Sequence, residues 1–93
     1  MGKYIKKPIP IDAYQVNPSI RSLLSEPDFP DWVAEAIYTD ALMCPDQGLQ
    51  FQVMSNEGIM TGNYGDWLMK GVRGELYICA DDIFQESYEE VKS

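Results

Sequence analysis

The sequence predicts an α+β protein: a small antiparallel sheet of four to six strands, curling toward a barrel, with one main amphipathic helix and a short additional helix. Three observations carry this reading. Phe29, Trp32, Val33, Ala36 and Ile37 fall at helical spacing on a single apolar stripe. Beyond them the period changes to two, with Leu49, Phe51 and Val53 alternating with Gln50, Gln52 and Met54. The remaining extended runs are separated by turn-forming clusters at residues 55–58 and 62–66 and at Arg73-Gly74.

Taken in order, residues 4–16 read as an edge strand. Ile9, Ile11 and Ala13 alternate with Pro10, Asp12 and Tyr14, and proline is tolerated only where no ladder donor is needed. Asn17-Pro18 has the form of an N-cap followed by proline at the first helical position, opening a short helix with Ile20, Leu23 and Leu24 on its apolar side. Pro27 stops it. Asp28 then opens the main helix, with Asp28 and Asp31 in the dipole-favoured first turn and an end near Thr39 or Asp40. Trp32 belongs to the core-facing stripe. After the strand over residues 49–54, Ser55-Asn56-Glu57-Gly58 is a hairpin turn into a short strand at 59–61. A second hairpin pairs residues 67–72 with 75–79 across Arg73-Gly74. Met54, Met60 and Met69 interleave with these strands as flexible gap-fillers. Asp81-Asp82 cap a turn holding Ile83 and Phe84, and residues 87–91 add a last strand.

With 93 residues, the chain is expected to form one domain over 1–93, and its 45% apolar content fits a folded core. No apolar run approaches the roughly 20 residues of a membrane span. The start is basic but lacks an apolar h-region, and Lys6 stands where a myristoylation pattern needs Ser or Thr, so a soluble cytoplasmic protein is expected. Cys44 and Cys79 stand far apart and read as free thiols in a reducing compartment. The formal charge is −8, with no Lys or Arg between Ser22 and Met69. Direct nucleic-acid binding is disfavoured, because phosphate neutralisation needs clustered cations. An acidic surface suits a basic protein partner, and it also simply favours solubility.

The absence of histidine removes Ser-His-Asp and Cys-His catalysis and the usual zinc sites. Gly62-Asn63-Tyr64-Gly65 is not a phosphate loop, and Asp81-Asp82 with Glu86 lacks EF-hand spacing, so neither a metal nor a cofactor is expected. Asp12, Asp66 and Glu75 lie near strand ends or turns, but nothing brings two of these carboxylates to a defined distance. Asp66 also fits ordinary turn chemistry, bonding nearby amides. The candidate ligand site is the second hairpin: Lys70 and Arg73 with Tyr64, Asp66, Trp67 and Tyr77, where cations and aromatics could hold a phosphate-bearing small molecule. The same cations also fit a solvated hairpin tip offset by Glu75 or Asp66.

Residues 4–15, Tyr4-Ile5-Lys6-Lys7-Pro8-Ile9-Pro10-Ile11-Asp12-Ala13-Tyr14-Gln15, resemble the Y-x-K-K-P-[VI]-x-[IV]-E-A-[FWY]-Q start of a family of small bacteriophage and prophage proteins. Residues 65–84 resemble that family's G-D-[WY]-[IL]-[IM]-[KR]-G-[VI]-[KR]-G-E-[FL]-Y-P-C-K-P-D-I-F ending, and Trp32-Val33-Ala34-Glu35-Ala36-Ile37 its tryptophan-bearing helix. The chain departs at Ile78-Cys79-Ala80-Asp81-Asp82, where the family reads P-C-K-P-D, so no role of that lysine carries over. The resemblance implies phage origin and attaches no enzymatic activity or cofactor to any residue. The expected function is therefore non-enzymatic: binding of a host macromolecule, with a host protein the expected partner, to inhibit a defence or nucleic-acid-handling component. A nucleotide-like small molecule at the second hairpin is the alternative, and a carboxylate-based hydrolase a weaker one. Edge strands also permit a homodimer.

Overall fold

The computed structural model describes residues 2–4, 9–45 and 48–90. Residues 5–8 of the expected first strand and residue 91 of the expected last one lie outside them. The strand β1 (Asp12–Gln15) is followed by α1 (Ile20–Leu23), α2 (Asp31–Tyr38) and β2 (Leu42–Met43). Then come β3 (Gln50–Ser55), β4 (Gly58–Asn63), β5 (Trp67–Lys70), β6 (Leu76–Cys79) and α3 (Asp81–Ser87).

Both early helices start later than expected, for local reasons. Asn17 forms a turn of its own, its Oδ1 accepting from the Ser19 amide (3.1 Å) and hydroxyl (2.6 Å), which makes Ser19 the residue at the helix mouth. Pro30, with φ −61° and ψ 131°, holds the N-cap of α2, and the residue before a proline is driven out of the helical region, so Phe29 cannot join. The helix ends with Asp40 at φ 61°, a left-handed position unusual for a residue with a side chain. The tail differs too: residues 81–87 form a helix rather than a turn leading to a strand. β2, pairing Leu42 with Val53, carries too few residues to show a period.

The α+β class holds, but the strands form two three-stranded antiparallel sheets instead of one, ordered β1-β5-β6 and β2-β3-β4, with no closed barrel. The division arises at Tyr64-Gly65-Asp66. There the Gly65 amide donates to the Val16 carbonyl (2.8 Å) and the Val16 amide to the Asp66 carbonyl (3.0 Å), turning the chain away from β4 and onto β1. Gly65 takes φ +106°, the conformation glycine adopts without strain. The sheets meet where Gly62 of β4 lies against Phe51 and Ile78.

Between them sits the core of Val16, Ile20, Val33, Ala36, Leu42, Cys44, Phe51, Val53 and Leu68. Residues opposite one another in a ladder share a face. Tyr14, Leu68, Leu76 and Ile78 of the first sheet therefore face the core, while Ala13, Gln15, Trp67, Met69, Tyr77 and Cys79 face the other way. α2 supplies Val33 and Ala36 to the core, and α3 covers part of the outward face through Phe84.

Candidate functional site

The hairpin β5–β6 carries four of the six candidate ligand residues and sorts them onto different surfaces. Trp67 lies opposite Cys79, Met69 opposite Tyr77, and Lys70 opposite Leu76. Trp67 and Tyr77 thus share the outward face, and Lys70 points to the other side. Trp67 and Lys70 are three apart, and a strand alternates faces at each residue, so they cannot line one concave surface.

On the outward face the aromatics are committed to α3. The rings of Trp67 and Phe84 stack at 3.8 Å between centroids and 8° between planes, and Tyr88 continues the ladder at 5.2 Å from Phe84. The Trp67 Nε1–H donates to Asp81 Oδ1 at 2.9 Å, and Gln85 Nε2 donates to the same oxygen at 3.2 Å. These two donors hold the Asp81 carboxyl below its ordinary value, the indole bond contributing most. Burial, followed by the charge and hydrogen bond of Tyr88, pushes the Tyr77 hydroxyl up. Cys79 on this face is also raised, first by burial and then by Asp66 and Asp82.

Asp66 and Tyr64 belong to the turn between the sheets. Asp66 Oδ2 accepts from the Asn63 amide at 3.0 Å and Oδ1 from the Asp81 amide at 3.2 Å, joining the turn to the start of α3. Tyr64 donates its hydroxyl to the Pro45 carbonyl (3.1 Å) and packs its ring 5.9 Å from that of Phe51.

Lys70 and Arg73 open onto separate shallow hollows. Lys70 lines a groove of about 290 Å³ with Trp32, Glu35, Ala36 and Thr39 of α2 and with Leu76. Arg73 lines a wider hollow of about 570 Å³ with Asn56, Gly74 and Glu75. The Glu75 carboxylate accepts from the Arg73 amide at 3.1 Å, closing the hairpin tip. Each hollow carries one cation and one carboxylate, so neither offers concentrated charge of one sign. Asp12 lies across from Lys70 on β1, and Asp82 Oδ1 accepts from the Ile83 amide at 2.9 Å. Among the described residues no cluster of three or more His, Cys, Asp or Glu side chains could hold a metal ion. No helix among them is long and apolar enough to cross a membrane.

Sequence reasoning singled out Trp67 but missed its partners Asp81, Gln85, Phe84 and Tyr88. The available signal was the i, i+4 spacing of Asp81 with Gln85 and of Phe84 with Tyr88, which marks a helix with one working face. Compared with known proteins, the chain matches no family model, no curated protein and no solved structure.

Proposed function

We propose that the chain is a non-enzymatic accessory protein of phage or prophage origin. It works in the host cytoplasm by binding a host protein of basic character, such as a defence or nucleic-acid-handling component. The observation that carries this reading is how the side chains are spent. Trp67, Tyr64 and Asp66 are engaged in internal contacts, whereas α2 presents Asp31, Glu35 and Tyr38 along one exposed stripe. Tyr38 is 77% exposed, and an exposed aromatic among carboxylates is a suitable anchor for a cationic surface. The phage-like segments at residues 4–15 and 65–84 support the origin.

The test is capture from host lysate with immobilised protein at low and high salt. A specific partner should be retained by the wild type and by Asp12→Lys, and lost with Asp31→Lys combined with Glu35→Lys. Equal retention by all three proteins would remove the α2 stripe from the mechanism.

A second reading, small anionic ligand binding, draws support from Lys70 and Arg73 each lining a hollow. In it Trp32 would supply the aromatic wall that Trp67 does not. Thermal shift against a panel of nucleotides tests it, because a ligand bound only by the native state raises the Tm. A flat response across the panel, with unaltered behaviour of Lys70→Ala, would leave the protein-binding reading alone.

A further inference from the structure

Edge strands expose backbone donors and acceptors, and β4 forms one margin of the second sheet. In the β3–β4 ladder the Tyr64 amide donates to the Leu49 carbonyl at 3.0 Å, which fixes the hydrogen-bonding parity of the whole hairpin. Gly58, Met60 and Gly62 turn their backbone groups toward β3. Ile59, Thr61 and Asn63 turn theirs outward. The two groups of Asn63 are used by the following turn, its amide by Asp66 Oδ2 and its carbonyl by the Asp66 amide. That leaves the N–H and C=O of Ile59 and of Thr61, four groups without a partner among the described residues.

We infer that two copies of the chain pair edge to edge through β4, antiparallel about a two-fold axis at Met60, to form a continuous six-stranded sheet. The register follows from the open groups. An antiparallel pair of β4 strands that sets Ile59 opposite Thr61 of the second copy, and Thr61 opposite its Ile59, forms four N–H···O bonds and uses every open group. Met60 then faces its own counterpart on the axis. Any other register leaves at least one of these groups unpaired or opposes it to Asn63, whose groups are taken.

Three further features select a second copy as the occupant. The strands β2, β3 and β4 contain no charged residue at all, in a chain of net charge −8. Two copies can therefore meet here without opposing like charges, whereas a basic partner would find no carboxylate on these strands. The edge also lacks the usual guards, since β4 has no lysine, proline or inward charge. Beside it the cross-strand pair Met54 and Ile59 stands 47% and 59% exposed and would be extended by Thr61 of the second copy. A standard interface buries about 800 Å² per partner. Short strands place this contact at the small end of that range, so the association is reversible and concentration-dependent.

Sedimentation equilibrium over a wide concentration range tests this. The wild type should rise in mass-average from 10.6 kDa toward twice that value. Ile59→Lys should weaken the association roughly tenfold or more by placing a charge on the edge. Thr61→Pro removes an outward N–H without touching the β3 ladder and should act likewise, with circular dichroism confirming that both variants fold. Met60→Cys in a Cys79→Ser background should form a covalent dimer on mild oxidation, because non-hydrogen-bonded antiparallel partners lie about 4.5 Å apart at Cα. A wild type that stays at single-chain mass throughout overturns the inference. So does a dimer that both folded edge variants leave intact. Failure of the Met60→Cys cross-link in a persisting dimer overturns the register.

Discussion

Replacing Gly62 by alanine drives a methyl group into its ladder partner Phe51 and into Ile78 of the facing sheet. The new Cβ would sit 2.7 Å from Phe51 Cζ, 3.0 Å from Phe51 Cε1 and 3.1 Å from Ile78 Cγ2, where carbon atoms ordinarily settle about 3.5–4.0 Å apart. Phe51 is completely buried and has nowhere to swing. Overpacking of this kind costs about 1–3 kcal/mol, while the loss of glycine's freedom in the unfolded chain returns about 0.4–1 kcal/mol. The net destabilisation is about 1–2 kcal/mol, which for a domain of this size lowers the Tm by roughly 5–15 °C.

Thermal and urea unfolding followed by circular dichroism reads this directly. Gly71→Ala is the matched control. The atoms nearest its Cβ belong to the Glu75 side chain, which can swing aside at the cost of its bond to the Arg73 amide, so the effect should stay near about 1 kcal/mol. Adding Phe51→Leu to Gly62→Ala should recover part of the loss, with a coupling energy of at least about 0.5 kcal/mol between the two sites. An unchanged or raised Tm for Gly62→Ala would refute the close packing of Phe51 and Ile78 over Gly62. Additive effects of the two substitutions would show that Phe51 is not what the methyl group strikes.

Four other expectations follow from local chemistry. The Asp81 carboxyl is depressed in the folded state, so its stabilisation of α3 is complete above its ordinary value near 3.8 and is lost as pH falls through the lower folded value. In a Trp32→Phe background, Trp67 fluorescence should report this acid transition, and Asp81→Asn should abolish its pH dependence. Burial pushes the Cys44 thiol up to about 11 from 9.0, against the opposing pull of Arg21. Stability should therefore be full below pH 9 and decline as the pH rises from 9 toward 11, with Cys44→Ala flattening the slope. For the same reason iodoacetamide near pH 8 should modify Cys79 well before Cys44. Asp40→Gly relieves a left-handed residue at the end of α2 and should raise stability by about 0.5–1 kcal/mol, read as Tm.

What the sequence made legible was mostly local. The stripe from Phe29 to Ile37 locates α2 because helical periodicity is a property of the segment itself, and Val33 and Ala36 are its buried members. The turn at Ser55 to Gly58 likewise follows from its own residues, Ser55 Oγ bonding both the Glu57 amide and the Gly58 carbonyl. The partition into two sheets was not legible, because it depends on Gly65 and Asp66 bonding Val16, a contact some fifty residues away in the chain. The candidate ligand cluster lies between these cases. That Trp67 and Lys70 face opposite ways could be read from their odd separation once the strand was recognised. That α3 covers Trp67 could not, because it rests on Phe84 arriving from beyond the strand.

This division of the hairpin bears on how the two proposed surfaces relate. α3 is anchored on the outward face of the first sheet by Trp67, Phe84 and Asp81. The acidic stripe Asp31, Glu35 and Tyr38 is carried by α2, which reaches the second sheet through β2. The β4 edge lies at the opposite margin of that second sheet from β2. Pairing through β4 would therefore leave α2 free and present two acidic stripes, one at each end of a six-stranded sheet. A partner with two basic faces would then bind the dimer far more tightly than the monomer, since the second contact is intramolecular. The two proposals become separable on that basis. Ile59→Lys should reduce apparent affinity for an immobilised partner without altering the salt dependence of a single contact. Asp31→Lys with Glu35→Lys should remove that salt dependence and leave the sedimentation behaviour unchanged.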